Sequence, residues 1–297
     1  MPMMELSPPH PLRSALYVPA NKVRAIEKAK RLDCDGVILD LEDAVAPSEK
    51  IAARDALCAL LQNGGFGTRR LLVRVNGLDS VWGQDDLAAL GRLQTQARLS
   101  FAILLPKVDG PEDIAKAQAF GKNFEIWAMM ETAKAMFNAQ PIAAAAGLGG
   151  MVLGTNDLAA ELGATDGQNR FALQTALQLC LLAAKSQGLT ILDGVYNAFH
   201  DDAGLMAEAQ QGRDLGFDGK TLIHPAQLAI ANQIFAPSAA AIALAKRQIN
   251  AFDAAMVNGQ AVAVLDGKII ENLHIIRAQK TLALAQGITD RAGDPER

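Results

Sequence analysis

Short apolar runs alternate along this chain with longer segments in which apolar residues recur every three or four positions. The runs at 14–18, 36–41, 71–75, 101–105, 125–130, 151–154, 190–195 and 220–223 are almost wholly apolar. Continuous apolarity over so short a length marks strands covered on both faces, as in a parallel sheet. Between them, 21–32, 48–61, 85–96, 111–120, 168–187 and 202–215 follow a helical pattern. Several of these open on Pro or on a capping Asp, Ser or Asn, and Gly188 and Gly216 stop two of them just before the next run.

Eight strands alternating with helices predict an α/β fold, a (β/α)8 TIM barrel. The competing doubly wound sheet gathers its polar groups at one switch point, whereas here polar residues follow nearly every strand. The barrel is assigned to 1–235 and an appended unit to 236–297. In that unit, helical stretches at 239–258 and 269–286 flank a short apolar strand and an Asp266-Gly267 turn. The barrel's strands are already used, so the tail is expected to cover a barrel mouth, its own or that of a neighbouring subunit.

Composition narrows the class. The chain has 297 residues, half of them apolar, and a net charge of −4. No basic face for nucleic acid is indicated. Cys34, Cys58 and Cys180 are far apart and lie mostly in apolar patterns, as reduced buried thiols do. The first eleven residues lack the apolar core of a signal peptide. No apolar run is expected to reach the ~20 residues of a membrane helix without a charge or glycine. These readings predict a cytoplasmic protein with no membrane or nucleic-acid partner.

In a barrel the active site forms at the carboxyl ends of the strands. Read in order, those ends supply Asp40, Glu42 and Asp43, then Arg74 and Asn76, then Lys107, Glu131, Asn156 and Asp157, Asp193 and His224. Glu131 and Asp157 close two successive runs. Carboxylates on adjacent strands can hold a hard cation such as Mg²⁺, with water and substrate oxygens completing the octahedron; the alternative is a pair of loop-capping acids. Arg74 is either a structural partner for a neighbouring acid or a clamp for a substrate carboxylate or carbonyl, the clamp being preferred. Lys107 could form a Schiff base, but pairing with an acid such as Glu42 is preferred beside a metal site. Of the three acids after the second strand, Glu42 is expected to face the site. His224 is expected to be structural.

These residues resemble the citrate lyase β-subunit-like branch of the HpcH/HpaI aldolase superfamily, which includes citramalyl-CoA and malyl-CoA lyases. The likeness runs nearly end to end: Arg13-Ser14-Ala15-Leu16-Tyr17-Val18-Pro19-Ala20-Asn21, Asp40-Leu41-Glu42-Asp43-Ala44-Val45, Arg74-Val75-Asn76-Gly77, Leu105-Pro106-Lys107-Val108, Met130-Glu131-Thr132-Ala133, Gly154-Thr155-Asn156-Asp157-Leu158 and Leu265-Asp266-Gly267. Ala20, Thr155-Asn156 and Lys134 depart from the commonest form of the branch, which bears on acyl specificity.

The resemblance implies a Mg²⁺-dependent carbon–carbon lyase. Glu131 and Asp157 would bind the metal, while Arg74 and Glu131 would contact the substrate. Asp266 would reach a neighbouring subunit's site as the proton donor. A homo-oligomer follows, with a homotrimer favoured. Arg13 and Lys22 would meet the CoA phosphates, and Glu42 would assist the chemistry. The expected reaction cleaves a 3-hydroxy-3-carboxyl acyl thioester, carried on coenzyme A or an acyl-carrier protein, to an acetyl thioester and a 2-keto acid. The alternatives are an aldolase of free 4-hydroxy-2-keto acids, a malyl-CoA thioesterase, and the β component of a citrate lyase complex.

Overall fold

The computed structural model describes residues 11–97, 100–121, 124–165 and 168–292. Among them, eight parallel strands close into a barrel in sequence order. They are β1 (Ser14–Pro19), β2 (Gly36–Asp40), β3 (Arg70–Arg74), β4 (Ala102–Leu105), β5 (Ile126–Met130), β6 (Leu148–Leu153), β7 (Thr190–Asp193) and β8 (Gly219–Leu222). Closure is made by β1 against β8, with Ser14 opposite Lys220 and Leu16 opposite Leu222. The barrel predicted from the apolar runs is the fold observed.

The strands read as apolar throughout because both faces are covered. Ala15, Ile38, Leu72, Leu104, Trp127, Met129, Val152 and Leu192 fill the interior, alternate residues of each strand pointing inward. The other set, including Leu16, Val37, Leu39, Val73, Ile103, Leu105, Ala128 and Met151, packs outward against the helices. Burying each such Leu or Ile fully contributes roughly 1.5–3 kcal/mol.

The helices of this unit are α1 (Val23–Ala29), α2 (Lys50–Asn63), α3 (Gly83–Ala97), α4 (Pro111–Gln118), α5 (Ala133–Phe137), α6 (Ala139–Ala143), α7 (Thr155–Glu161), α8 (Gln174–Ser186), α9 (Asp202–Leu215) and α10 (Leu228–Phe235). Asp201 caps α9 by accepting from the Gly204 N–H, and left-handed Gly216 ends it. Local departures from the sequence reading have visible causes. The segment 168–187 is a 3-10 turn at Gln168–Leu173 followed by α8, not one helix. β6 starts ahead of its apolar run, because Gly150 leaves room for the Trp127 ring beside it. α7, which the sequence pattern did not show, begins directly after β6 and carries Asp157 in its first turn.

The second unit begins at 236. It contains α11 (Ala239–Val257), an antiparallel hairpin of β9 (Ala263–Leu265) and β10 (Lys268–Ile270), and α12 (Asn272–Ala292). Its core is Ala255, Ala263, Ile270 and Ile275, with Ile249, Phe252 and Leu265 packed against it. The stretch expected to be helical from 269 starts as β10, and α12 follows.

One composition reading needs correction. Residues 225–245 contain neither charge nor glycine, and Pro225–Val257 holds a window of mean hydropathy 1.6. The helix is interrupted between α10 and α11 at Ala236-Pro237-Ser238, where Ser238 begins a new helix by capping the Ala241 N–H. Cys34 and Cys180 are buried and Cys58 is partly so, and none of the three is joined in a disulfide.

A buried ionic cluster ties β7 and β8 to α9 and the 3-10 turn. Lys220, with no exposed surface, donates to Glu208 Oε1 at 2.7 Å, Asp193 Oδ2 at 3.2 Å and the Gly194 carbonyl at 2.6 Å. Arg170 Nη1 donates to Asp193 Oδ1 at 2.6 Å. Asp193 therefore belongs to this cluster and not to the mouth where its strand-end position suggested it. Asp193→Ala leaves two buried cations short of a partner and is expected to cost about 3–5 kcal/mol in urea unfolding. A loss below about 1 kcal/mol would show that the cluster does not hold this side of the barrel together.

Candidate active site at the barrel mouth

The carboxyl ends of β1, β2, β3, β5, β6 and β7 surround a cavity of roughly 370 Å³. Its wall includes Tyr17, Asp40, Asp43, Arg74, Met129, Glu131, Asn156, Asp157 and Asn197. The structure thus brings Arg74 together with the predicted metal acids. A larger hollow, roughly 710 Å³, lies along Leu78, Lys107, Asp109, Asp113, Lys116 and Thr132. Its mixed charges give no preference for an anion or a cation, so the chemistry is assigned to the first cavity.

Arg74 is fixed before any ligand arrives. Nε and Nη2 donate to Asp40 Oδ1 and Oδ2 at 2.8 and 2.6 Å, a bidentate pair with both side chains buried. Asp40 also accepts from the Glu42 and Ala44 N–H groups, which shapes the loop after β2. Arg74 Nη1 lies 2.9 Å from Glu42 Oε2 and 3.4 Å from Asp43 Oδ2. Arg74 is therefore a structural partner of acids and also part of the cavity wall. The expectation that Glu42 faces the site is corrected: Asp40 and Asp43 line the cavity. Glu42 lies under Arg74, with Lys107 Nζ 3.9 Å from its Oε1. Glu42 Oε2 is buried without a hydrogen-bond partner, close to the guanidinium but not aligned with its N–H bonds.

Glu131 directly follows β5 and is 2% exposed. Its Oε1 accepts from the Lys107 N–H at 2.7 Å, and Lys107 holds left-handed backbone (φ 51°) after Pro106. Gly154 packs directly on the Glu131 side chain, where any Cβ would overlap it. Asp157 sits exposed in the first turn of α7.

Too many carboxylates share this rim for its cations. Burial pushes Glu131 up to about 8, with Glu42 and Asp157 adding to it against the Lys107 N–H and Arg74. Burial likewise pushes Glu42 up to about 7, with Asp43 and Asp40 adding to it and Arg74 and Lys107 opposing. Burial also raises the Tyr17 phenol well above its ordinary value, so it remains a neutral O–H. A hard cation held by Glu131 and Asp157 would relieve this crowding. Among the described residues no group of three or more His, Cys, Asp or Glu forms a fuller metal shell. The donor set therefore suits an ion that keeps water and ligand oxygens in its remaining positions.

Arg13 precedes β1, at the end of the barrel opposite the mouth. Its Nε and Nη2 donate to Asp35 at 2.7 and 2.9 Å, in a buried pair. It is a structural cation, and the expected phosphate contact is corrected on that ground. Lys22 is exposed where the chain leaves β1 for α1, on the mouth side. Asn76 turns away from the mouth, accepting from Lys50 Nζ at 2.6 Å and donating to Asp86 at 2.6 Å. His224 caps the 3-10 turn Pro225–Gln227 by accepting from the Ala226 N–H. In the second unit, Asp266 occupies the β9–β10 turn in left-handed backbone (φ 50°) and accepts from Arg247 Nη2 at 2.6 Å. The sequence reading missed Tyr17, Met129 and Asn197 as wall residues, and Lys50 as the cation under the β2 loop. The alternation Ala15, Tyr17, Pro19 was the available signal that Tyr17 shares the inward face with Ala15.

A family model described as HpcH/HpaI aldolase/citrate lyase matches residues 13–225. The chain belongs to the HpcH/HpaI aldolase/citrate lyase family. Among its relatives is a (3S)-malyl-CoA thioesterase of Cereibacter sphaeroides, 56% identical over 94% of this chain and 96% of that protein. The mitochondrial citramalyl-CoA lyase of Homo sapiens is 31% identical over 95% of this chain and 87% of its own length. Among solved structures, protein CitE of Mycobacterium tuberculosis in complex with magnesium, acetoacetate and coenzyme A superposes with a TM-score of 0.77 at 29% identity. That match covers 92% of this chain and 97% of the CitE chain.

The raised acids make a stability prediction for chelator-treated protein. From an ordinary value of 4.5, Glu131 and Glu42 rise to about 8 and about 7 on folding. Between those limits the folded protein binds more protons than the unfolded chain, so stability falls as pH rises and levels off above about 8. Tm should therefore fall across this window, and Glu131→Gln should flatten the fall. An unchanged slope in the variant would remove Glu131 as its source.

Proposed function

We propose that this member of the HpcH/HpaI family is a Mg²⁺-dependent thioesterase acting on a malyl-CoA-type 3-hydroxyacyl thioester. The 56% identity to a malyl-CoA thioesterase over nearly the whole chain carries the choice of hydrolysis. The cavity supports the substrate class, since it combines a fixed guanidinium with two carboxylates suited to a hard cation. Carbon–carbon cleavage, the reaction expected from the motifs, is the second reading and is favoured by the 31% identity to citramalyl-CoA lyase.

Glu131 and Asp157 would hold the Mg²⁺. When bound, it would supply Lewis-acid charge for the substrate's hydroxyl and carboxylate oxygens. Arg74, kept rigid by Asp40, offsets negative charge on the acyl end of the ligand without reorganising. The Lys107 N–H orients Glu131. Glu42 is the buried carboxyl able to take up or release a proton near neutrality. Hydrolysis joins a water oxygen to the acyl carbon, breaks the carbon–sulfur bond and delivers a proton to the departing sulfur. In the cleavage reading, Asp266 from a neighbouring copy would protonate the acetyl thioester's carbon, which requires at least a dimer and suits a trimer. Lys22 remains a candidate contact for the CoA phosphates.

Incubation with malyl-CoA and Mg²⁺ is expected to release free thiol and malate in equal amounts, with no glyoxylate. Chelator should abolish the release, and Asp157→Asn should lower it by about a hundredfold or more. Glyoxylate with acetyl-CoA, in place of free thiol, would replace the thioesterase with the lyase.

A further inference from the structure

Tyr17 carries a hydroxyl that packing does not account for. The ring lies on the inward face of β1, against the interior layer that includes Ala15 and Met129. The Arg74 guanidinium sits over it, 5.0 Å from the ring centroid. A phenylalanine would fill the same volume and make the same cation–π contact. Among the described residues, the one hydrogen-bond partner of the Tyr17 hydroxyl is the Met129 sulfur, at 3.8 Å. A thioether is a weak acceptor, and Tyr17 is only partly buried on the cavity wall, where a stronger acceptor can reach its hydroxyl. Among the described residues no nearby acid accepts from it: Asp40 serves Arg74, Glu131 Oε1 serves the Lys107 N–H, and Glu42 Oε2 stays unpaired beside the guanidinium. A strong donor therefore stands beside a fixed cation on the wall of the cavity, with only sulfur to receive it.

We infer that Tyr17 donates a hydrogen bond to the thioester carbonyl oxygen of the substrate, side by side with Arg74. This rests on the reading that the cavity takes a hydroxyacyl thioester. It does not depend on which bond breaks, because charge builds on the same oxygen in both reactions. In hydrolysis that oxygen becomes the oxyanion of the tetrahedral intermediate; in carbon–carbon cleavage it becomes the enolate oxygen. Tyr17 keeps its proton throughout, and its part is stabilisation.

The test is Tyr17→Phe, which removes one oxygen and retains the ring, so its Tm should match that of the parent. Consumption of malyl-CoA by either route is followed with Mg²⁺ present. We expect kcat to fall about a hundredfold while KM changes little. A binding measurement gives a second readout, comparing acetyl-CoA with S-ethyl-CoA, which lacks the carbonyl oxygen. The parent should prefer acetyl-CoA about fivefold, and the variant should bind the two equally. Parent-like kcat and preference in the variant would overturn the role of Tyr17 and leave the thioester reading standing. A fall in kcat with the preference retained would assign the hydroxyl to another oxygen and overturn this contact. A parent that neither consumes malyl-CoA nor prefers the carbonyl ligand would overturn the thioester reading, and this inference with it.

Discussion

The bidentate bond between Asp40 and Arg74 is the interaction on which the mouth of this barrel depends. It joins the ends of β2 and β3 directly above the interior layer. A guanidinium buried without such a partner would be costly, and one left free would not hold a defined position. Because Asp40 occupies its Nε–Nη2 edge, Arg74 presents a fixed orientation to Tyr17, Glu42 and the cavity. Asp40 extends the same order into the next loop through the Glu42 and Ala44 N–H groups. Lys50 holds that loop from beneath through the Leu41 and Glu42 carbonyls.

Once Arg74 is neutralised by Asp40, little positive charge is left for Glu42, Glu131 and Asp157. Lys107 is half exposed and 3.9 Å from its nearest acid, so solvent weakens its effect. The imbalance adds to the burial that raises the proton affinity of Glu131 and Glu42, and a bound cation would relieve it. Burial is the main cause of the raised Glu131, and the crowding of acids that adds to it also makes the site receptive to a metal.

The fold was legible because each strand is buried on both faces, which leaves an unbroken apolar run as its trace. The mouth was legible for a related reason: parallel strands all point one way, so the residue after each run lands on a common rim. What the rule cannot supply is side-chain direction. Asp193 and Asn76 occupy rim positions, yet Asp193 turns outward to the buried Lys220 and Asn76 turns to Lys50 and Asp86. Arg13 shows the complementary error. Its motif is contiguous with β1, but it precedes the strand and so lies at the opposite end, paired with Asp35. Tyr17 was overlooked because a tyrosine inside an apolar run reads as packing. Only the surroundings of its hydroxyl distinguish it from phenylalanine.

That thioesterases and lyases both occur among the relatives of this chain is understandable from the mouth itself. On the proposed reading, both reactions would begin with an anionic acyl group met by Arg74 and a bound cation, and both would place charge on the thioester oxygen. They diverge in what approaches next. Hydrolysis needs water at the acyl carbon, whereas cleavage needs that carbon screened from water and a proton delivered to the neighbouring carbon of the enolate. On the proposed reading, Asp40, Arg74, Glu131 and Asp157 would serve either reaction. On that reading, access of water to the acyl carbon would be the variable that selects between the two outcomes on one scaffold.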